Sequence, residues 1–153
     1  VENIVEGVVE KIGFRSTLIR RFDSSPVMVP NFNFAENAVT NFSNMKSRRI
    51  YWTIGLEYRT THDQLRIIRD QIEEYISSSG DFVKSSEQPL FVRLEKFSDS
   101  SIDILIYCFA TTTVWGEWLK IKEELALKIK SIVEENNAGF AFPSQSIYVE
   151  KNT

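Results

Sequence analysis

Residues 13–31, GFRSTLIRRFDSSPVMVPN, constrain the fold of this chain more than any other stretch. Arg15, Thr17, Ile19 and Arg21 alternate with Ser16, Leu18, Arg20 and Phe22, the two-residue period of a β-strand. Asp23-Ser24-Ser25-Pro26 is turn chemistry: short Asp and Ser side chains bond nearby backbone, and Pro presets its own φ. Val27-Met28-Val29 is a short apolar strand, and Pro30, which has no N–H to donate to a ladder, closes it before Asn31. The pattern predicts strand, tight turn, strand.

Residues 1–46 as a whole read as short strands. Gly7 and Gly13 bracket Val8–Ile12, and glycines at such points allow tight turns or bulges. The stretch after Asn31 is rich in Asn and has no clear period, with Glu36–Val39 reading as a single helical turn. Three or four strands in so few residues predict a small, strongly bent β-barrel.

The character changes at residue 47. Ile50, Trp52, Ile54, Leu56 and Tyr58 alternate with Arg49, Tyr51, Thr53, Gly55 and Glu57, which predicts a strand within 47–60. Thr61-His62-Asp63-Gln64 fits a capping box, and Leu65, Ile68, Ile72 and Tyr75/Ile76 form the apolar stripe of the helix that follows. Ser77–Gly80 ends it, and a polar loop runs to Pro89. Leu90–Phe97 and Ile102–Thr113 flank the turn Ser98–Ser101 as a hairpin. A long helix is predicted over Trp115–Glu135, stopped by Asn136, Asn137 and Gly139, and a last short strand over Ser146–Glu150. The expected fold is α+β, with a β-domain over 1–46, a βαββαβ (ferredoxin-like) α/β domain over 47–142 and a tail strand over 143–153.

Composition narrows the function. Hydrophobic residues make up 42% and charged residues 25% of 153, an ordinary globular balance that excludes disorder. The longest unbroken apolar run, Ile104–Ala110, is far short of the ~20 residues that span a bilayer. The chain begins on Val1 rather than Met, without a signal-peptide pattern, and so reads as a piece or a processed product. The single cysteine, Cys108, lies in an apolar run as a buried hydrophobe, and the expected compartment is intracellular. Residues 1–60 hold 8 Lys/Arg against 6 Asp/Glu, a net of +2; the other 93 hold 10 against 15, a net of −5. A bulk polyanion binder is usually more basic.

Catalytic patterns are missing. One His and one Cys allow neither C-x-x-C nor H-E-x-x-H, and no glycine-rich phosphate loop occurs. The pairs Glu73-Glu74, Glu123-Glu124 and Glu134-Glu135 sit on helices beside Lys or Arg and read as solvated faces. His62 reads as an exposed helix-start residue. The expectation is a non-enzyme with no metal or cofactor. Single-stranded RNA binding is the competing reading, because a βαββαβ domain with Tyr51, Tyr107 and Phe109 on its strands has the RRM plan. The RRM signature is missing, however, and the acidic C-terminal part opposes phosphate, so no nucleic acid partner is expected.

One resemblance covers nearly the whole chain. Gly7, Val9-Glu10, Ile12, Arg15, Thr17, Ile19-Arg20, Asp23, Val29-Pro30-Asn31 and Asn41-Phe42-Ser43, in that order and spacing, resemble the cytoplasmic part of the small-conductance mechanosensitive ion channel family. Residues 7–43 look like its Sm-like β-domain and the order from Arg48 looks like its α/β domain. Phe140-Ala141-Phe142-Pro143-Ser144-Gln145 is similar to the Phe-Pro exit before its last strand. Two departures stand in loops, with Phe32 where the family often has Gly after Pro-Asn and Ser24 where a Gly commonly follows the turn Asp.

The resemblance implies a homoheptamer in the inner membrane, with pore helices preceding Val1. This region would form a hollow vestibule with side portals on the cytoplasmic side. Such channels open under membrane tension and release ions and small solutes on osmotic downshock. The last strand, Ser146, Ile147, Tyr148, Val149 and Glu150 after Pro143 and Gln145, would join its copies in a narrow barrel, with Glu150 or portal charges biasing ion preference. Two pairings of that strand stay open: intermolecular, or internal to complete the ferredoxin-like sheet.

Overall fold

A computed structural model describes residues 5–144. They divide into two compact units that meet between Met45 and Lys46.

The first unit is an antiparallel sheet in the order β1-β2-β3, with β1 at Gly7–Ile12, β2 at Ser16–Arg21 and β3 at Pro26–Pro30. The predicted strand-turn-strand is present, with Pro26 as the first residue of β3 rather than part of the turn. That position suits Pro, since an edge strand does not require its missing N–H. The β1–β2 register slips between Val9 and Lys11, leaving Glu10 as the extra residue of a bulge. The helical turn expected at Glu36–Val39 lies earlier, as α1, Phe32–Glu36. Asn37 ends it by turning extended while its side-chain amide donates to the Asn33 carbonyl at 2.8 Å. Among the described residues the sheet keeps two edges, β1 and β3, and is not closed into a barrel.

The second unit is a three-stranded antiparallel sheet under two helices. Its strands are β4 (Arg48–Leu56), β5 (Phe91–Phe97) and β6 (Ile102–Ala110), in the order β4-β6-β5. The crossover helix α2 (His62–Ser78) joins β4 to β5, and β6 inserts between them. Alternation decides the faces. Ile50, Leu56, Ile104, Ile106 and Cys108 join Ile68, Ile72 and Ile76 of α2 and Leu125, Ile129, Ile132 and Val133 of α3 (Trp115–Glu135) in one core. Truncating one of these fully buried isoleucines to Ala costs about 2–5 kcal/mol.

Helix ends follow local chemistry. Thr61 and Gln64 form the predicted capping box, with Gln64 N–H on Thr61 Oγ1 at 3.3 Å and Thr61 N–H on Gln64 Oε1 at 2.8 Å. At the end of α3, Asn137 takes a left-handed φ of 53°, so that its N–H reaches the Glu134 carbonyl and the Ala138 N–H reaches that of Val133. These are the two bonds of a Schellman stop, with Asn in the place usually held by Gly.

The chain leaving α3 turns beside β4. Phe140 bridges Leu56, Glu57 N–H donates to the Gly139 carbonyl at 3.0 Å, and Ala141 N–H donates to the Gly55 carbonyl at 2.9 Å. The described chain thus pairs with the end of β4 at Phe140 and Ala141. The predicted tail strand, with Gln145, Ser146, Ile147, Tyr148, Val149 and Glu150, lies outside the described residues; Pro143 is exposed.

Candidate functional site

Of the residues singled out in the β-unit, Gly13, Arg15, Thr17 and Asn31 converge on one loop-locking network. Asn31 is its hub. Its backbone N–H donates to the Arg15 carbonyl at 2.9 Å, and its side-chain amide donates to the carbonyls of Gly13 at 2.9 Å and Phe14 at 3.2 Å. Its Oδ1 accepts the hydroxyl of Thr17 at 2.8 Å, and Thr17 is 5% exposed. Gly13 N–H closes the β1–β2 turn on the Ser16 carbonyl. The turn is thus pinned to the end of β3, a contact across 14–18 residues of chain.

Arg20 and Asp23 organise the opposite end. The Arg20 guanidinium grips Glu10 with Nε on Oε1 at 2.8 Å and Nη2 on Oε2 at 3.0 Å, and its Nη1 donates to the Ser24 carbonyl. That hydrogen-bonded charge holds the Glu10 carboxyl below its ordinary range. Asp23 Oδ1 accepts from the Ser25 N–H at 3.0 Å and the Ser25 hydroxyl at 2.6 Å, and these bonds lower its carboxyl likewise. Ser24 takes a left-handed φ of 68°, the conformation for which a Gly there would be the easier residue. Gly7 is dictated by space: a Cβ would lie 2.2 Å from the Arg20 carbonyl oxygen across the ladder. Arg15 contributes its carbonyl, and Pro30 the last pairing of β3, with Ser16.

The outer surface of this unit carries a feature that strand alternation did not disclose. Among the described residues, Val5, Ile19 and Val29 form its buried core, with Val27 and Phe34 packed on them. Ile12, Phe14, Phe22 and Met28 are 75%, 97%, 75% and 62% exposed. An open cleft of about 950 Å³ runs past Val9, Ile19, Phe22, Phe34 and Phe42, with Glu6, Arg21 and Asp23 also on its walls. Large apolar side chains thus reach solvent at both ends of the sheet, Ile12 and Phe14 at the β1–β2 turn and Phe22 just after β2. The legible signal was the number of large apolar residues, more than a three-stranded sheet can cover.

In the second unit, the sheet face away from the helices carries an aromatic band. Phe91, Tyr107 and Tyr51 sit opposite one another across three strands, with Phe109 5.5 Å from Tyr107. The Arg49 guanidinium lies 5.8 Å from the Tyr51 ring. The structure thus gathers the aromatics that sequence reasoning weighed for RNA. All three tryptophans collect elsewhere, where β4 meets α3: Lys122 Nζ sits 4.6 Å from Trp118 and 5.3 Å from Trp52, and Arg48 sits 5.1 Å from Trp115. Cys108 is buried, which pushes its thiol up to about 12 and leaves it un-ionised at neutral pH. His62 is exposed at the first position of α2, and no group of three or more His, Cys, Asp or Glu side chains is placed to hold a metal among the described residues.

Comparison with known proteins matches both units in order. Residues 3–44 match the family model described as mechanosensitive ion channel, beta-domain, and residues 50–140 match mechanosensitive ion channel MscS, C-terminal. The chain belongs to the MscS family of mechanosensitive ion channels. It is 43% identical to an uncharacterized MscS family protein of Aquifex aeolicus over 95% of this chain and 39% of that protein. It is 40% identical to the low conductance mechanosensitive channel YnaI of Escherichia coli over 97% of this chain and 43% of that protein. This member of the MscS family spans less than half the length of these curated relatives. Its fold is that of Helicobacter pylori MscS in the closed state (TM-score 0.79, 24% identity, 97% of this chain and 56% of that one). Arabidopsis thaliana MSL1 shares it too (TM-score 0.84, 22% identity, 92% and 50%). The family consists of ion channels rather than enzymes and works in membranes. No described helix of this chain is long and apolar enough to cross one.

Proposed function

We propose that this chain is the cytoplasmic vestibule region of a tension-gated channel, assembled as a homoheptamer around the ion path. In this reading the β-unit is an Sm-like domain and the second unit a ferredoxin-like domain, with the fourth sheet position filled at Phe140. Membrane helices lie elsewhere in the full protein, and the whole channel releases ions and small solutes on hypo-osmotic shock. The observation that carries the reading is the pairing of two family matches, in channel order, with a β-unit whose apolar side chains face outward. Copies of the chain arranged in a ring would bury Phe14, Phe22 and Met28 and pair the two sheet edges.

Native mass spectrometry of this 153-residue chain over a concentration series, paired with patch recordings of the full-length protein under suction, tests it. A ring of seven and pressure-activated currents are expected. A full-length protein that stays monomeric in membranes and passes no current under tension would overturn the reading. Tight, salt-sensitive binding of single-stranded RNA to the aromatic band would favour the competing function instead.

A further inference from the structure

A second cleft, of about 190 Å³, opens where the first half of α2 crosses the β5 side of the sheet. Its floor is apolar: Leu65 of α2, with Leu94 and Ile104 opposite each other on β5 and β6. Its rim is basic. His62, Arg66 and Arg69 fall at positions i, i+4 and i+7 of α2 and so share one helix face.

The hydrogen bonds define which donors remain. Arg66 Nη2 lies 3.3 Å from His62 Nε2, and a guanidinium can only donate. His62 Nε2 is then the acceptor, and Nδ1 carries the proton toward Asp63 Oδ1 at 3.3 Å. Arg66 has no carboxylate partner among the described residues, so its Nε and Nη1 are uncommitted. Arg69 spends Nε and Nη2 on Asp70 and keeps Nη1. Neither Asp63 nor Asp70 lines the cleft.

The geometry points to a binding site for a small amphiphilic anion: one carboxylate or phosphate group on a short apolar tail. The head would take the Arg66 fork and the remaining Arg69 donor, since a guanidinium matches either head in two-point fashion. The tail would displace water from Leu65 and Leu94, above the buried Ile104. The volume sets the size, because water occupies ~30 Å³ in the liquid and the cleft holds only a few waters' worth, enough for a tail of a few carbons. The site lies wholly within the second unit.

Methyl NMR of the whole chain, labelled at Ile and Leu, reads the floor directly and works for a monomer or a ring. Sodium hexanoate is the probe, butyl phosphate tests the second head, and 1-hexanol and inorganic phosphate test tail and head alone. The expected result is a saturable shift of the Leu65, Leu94 and Ile104 methyls by hexanoate or butyl phosphate. Hexanol and inorganic phosphate should each bind about tenfold more weakly or not at all. Arg66→Gln should weaken hexanoate about tenfold without moving the melting temperature, and Arg66→Lys should fall between. Three results overturn the proposal: no saturable shift at tens of millimolar, hexanol equal to hexanoate, or Arg66→Gln binding like the parent.

Discussion

Asn31 and Thr17 meet across the β-unit, the Thr17 hydroxyl donating to Asn31 Oδ1 at 2.8 Å, while the same Asn31 amide holds the carbonyls of Gly13 and Phe14. One side chain thus satisfies a buried hydroxyl and two turn carbonyls. Replacing it strands all three. Asn31→Ala should cost the β-unit roughly 1–3 kcal/mol, and Asn31→Asp should cost no less, because a carboxylate cannot donate to the two carbonyls. Hydrogen exchange of the Gly13 and Asn31 amides should accelerate in both variants, with β6 amides unchanged. Unaltered exchange in the turn would remove Asn31 from its role as hub.

Asp103 makes the β5–β6 hairpin sensitive to acid. Its carboxylate accepts the hydroxyls of Ser98 and Ser101, each at 2.6 Å, and Lys96 lies 4.0 Å away. The Ser101 and Ser98 bonds, and then the lysine charge, hold this carboxyl below its ordinary range. A lowered folded pKa stabilises above the unfolded value of ~3.9, and that stability is lost as pH falls through the folded value. Asp103→Asn should flatten the acid limb of the stability–pH curve below about pH 4. A variant curve parallel to the parent's would show that Asp103 does not set it.

Gly139 answers to Glu57. A Cβ at Gly139 would lie 2.9 Å from the Glu57 carboxyl carbon, and Glu57 also pairs with Arg59. Those atoms are the far end of a flexible side chain that can swing aside, so Gly139→Ala should cost no more than about 0.5 kcal/mol while displacing Glu57 from Arg59, and Glu57→Ala should remove that cost. The double-mutant cycle reports the coupling; additive losses would place the strain elsewhere.

The tryptophan cluster makes fluorescence a reporter of the second unit alone, since Trp52, Trp115 and Trp118 all lie within it. Lys122→Gln should remove an ammonium shared by two rings, at a cost of about 0.5–1 kcal/mol, and should shift the emission of the folded state. Emission identical to the parent's would mean that Lys122 does not sit on those faces in solution.

Cys108 supplies a chemical clock. With its thiol pushed up to about 12 by burial, it should resist iodoacetamide at pH 8 while folded and react at once in denaturant. Labelling at the rate of an unfolded peptide would place it at the surface.

The sequence by itself determined the elements whose cause is local. The turn Ser98–Ser101 between two apolar runs specified the β5–β6 hairpin, because the turn residues sit next to the strands they join; only the fold put β6 between β4 and β5. Thr61 and Gln64 specified the start of α2, and Asn136–Asn137 the stop of α3, because caps are closed by residues three or four apart. The motif residues around Asn31 and Arg20 were legible as a group, but their bonds span 10–18 residues and became visible only with the strands in register. Tertiary structure alone decided the rest. It put Phe140 beside Leu56, moved the short helix to Phe32–Glu36, and brought Trp52 of β4 and Trp118 of α3 together around Lys122. It also left Phe14 and Phe22 outside. Alternation assigns a side chain to one face or the other, but the number of layers covering each face is a property of the assembled sheet.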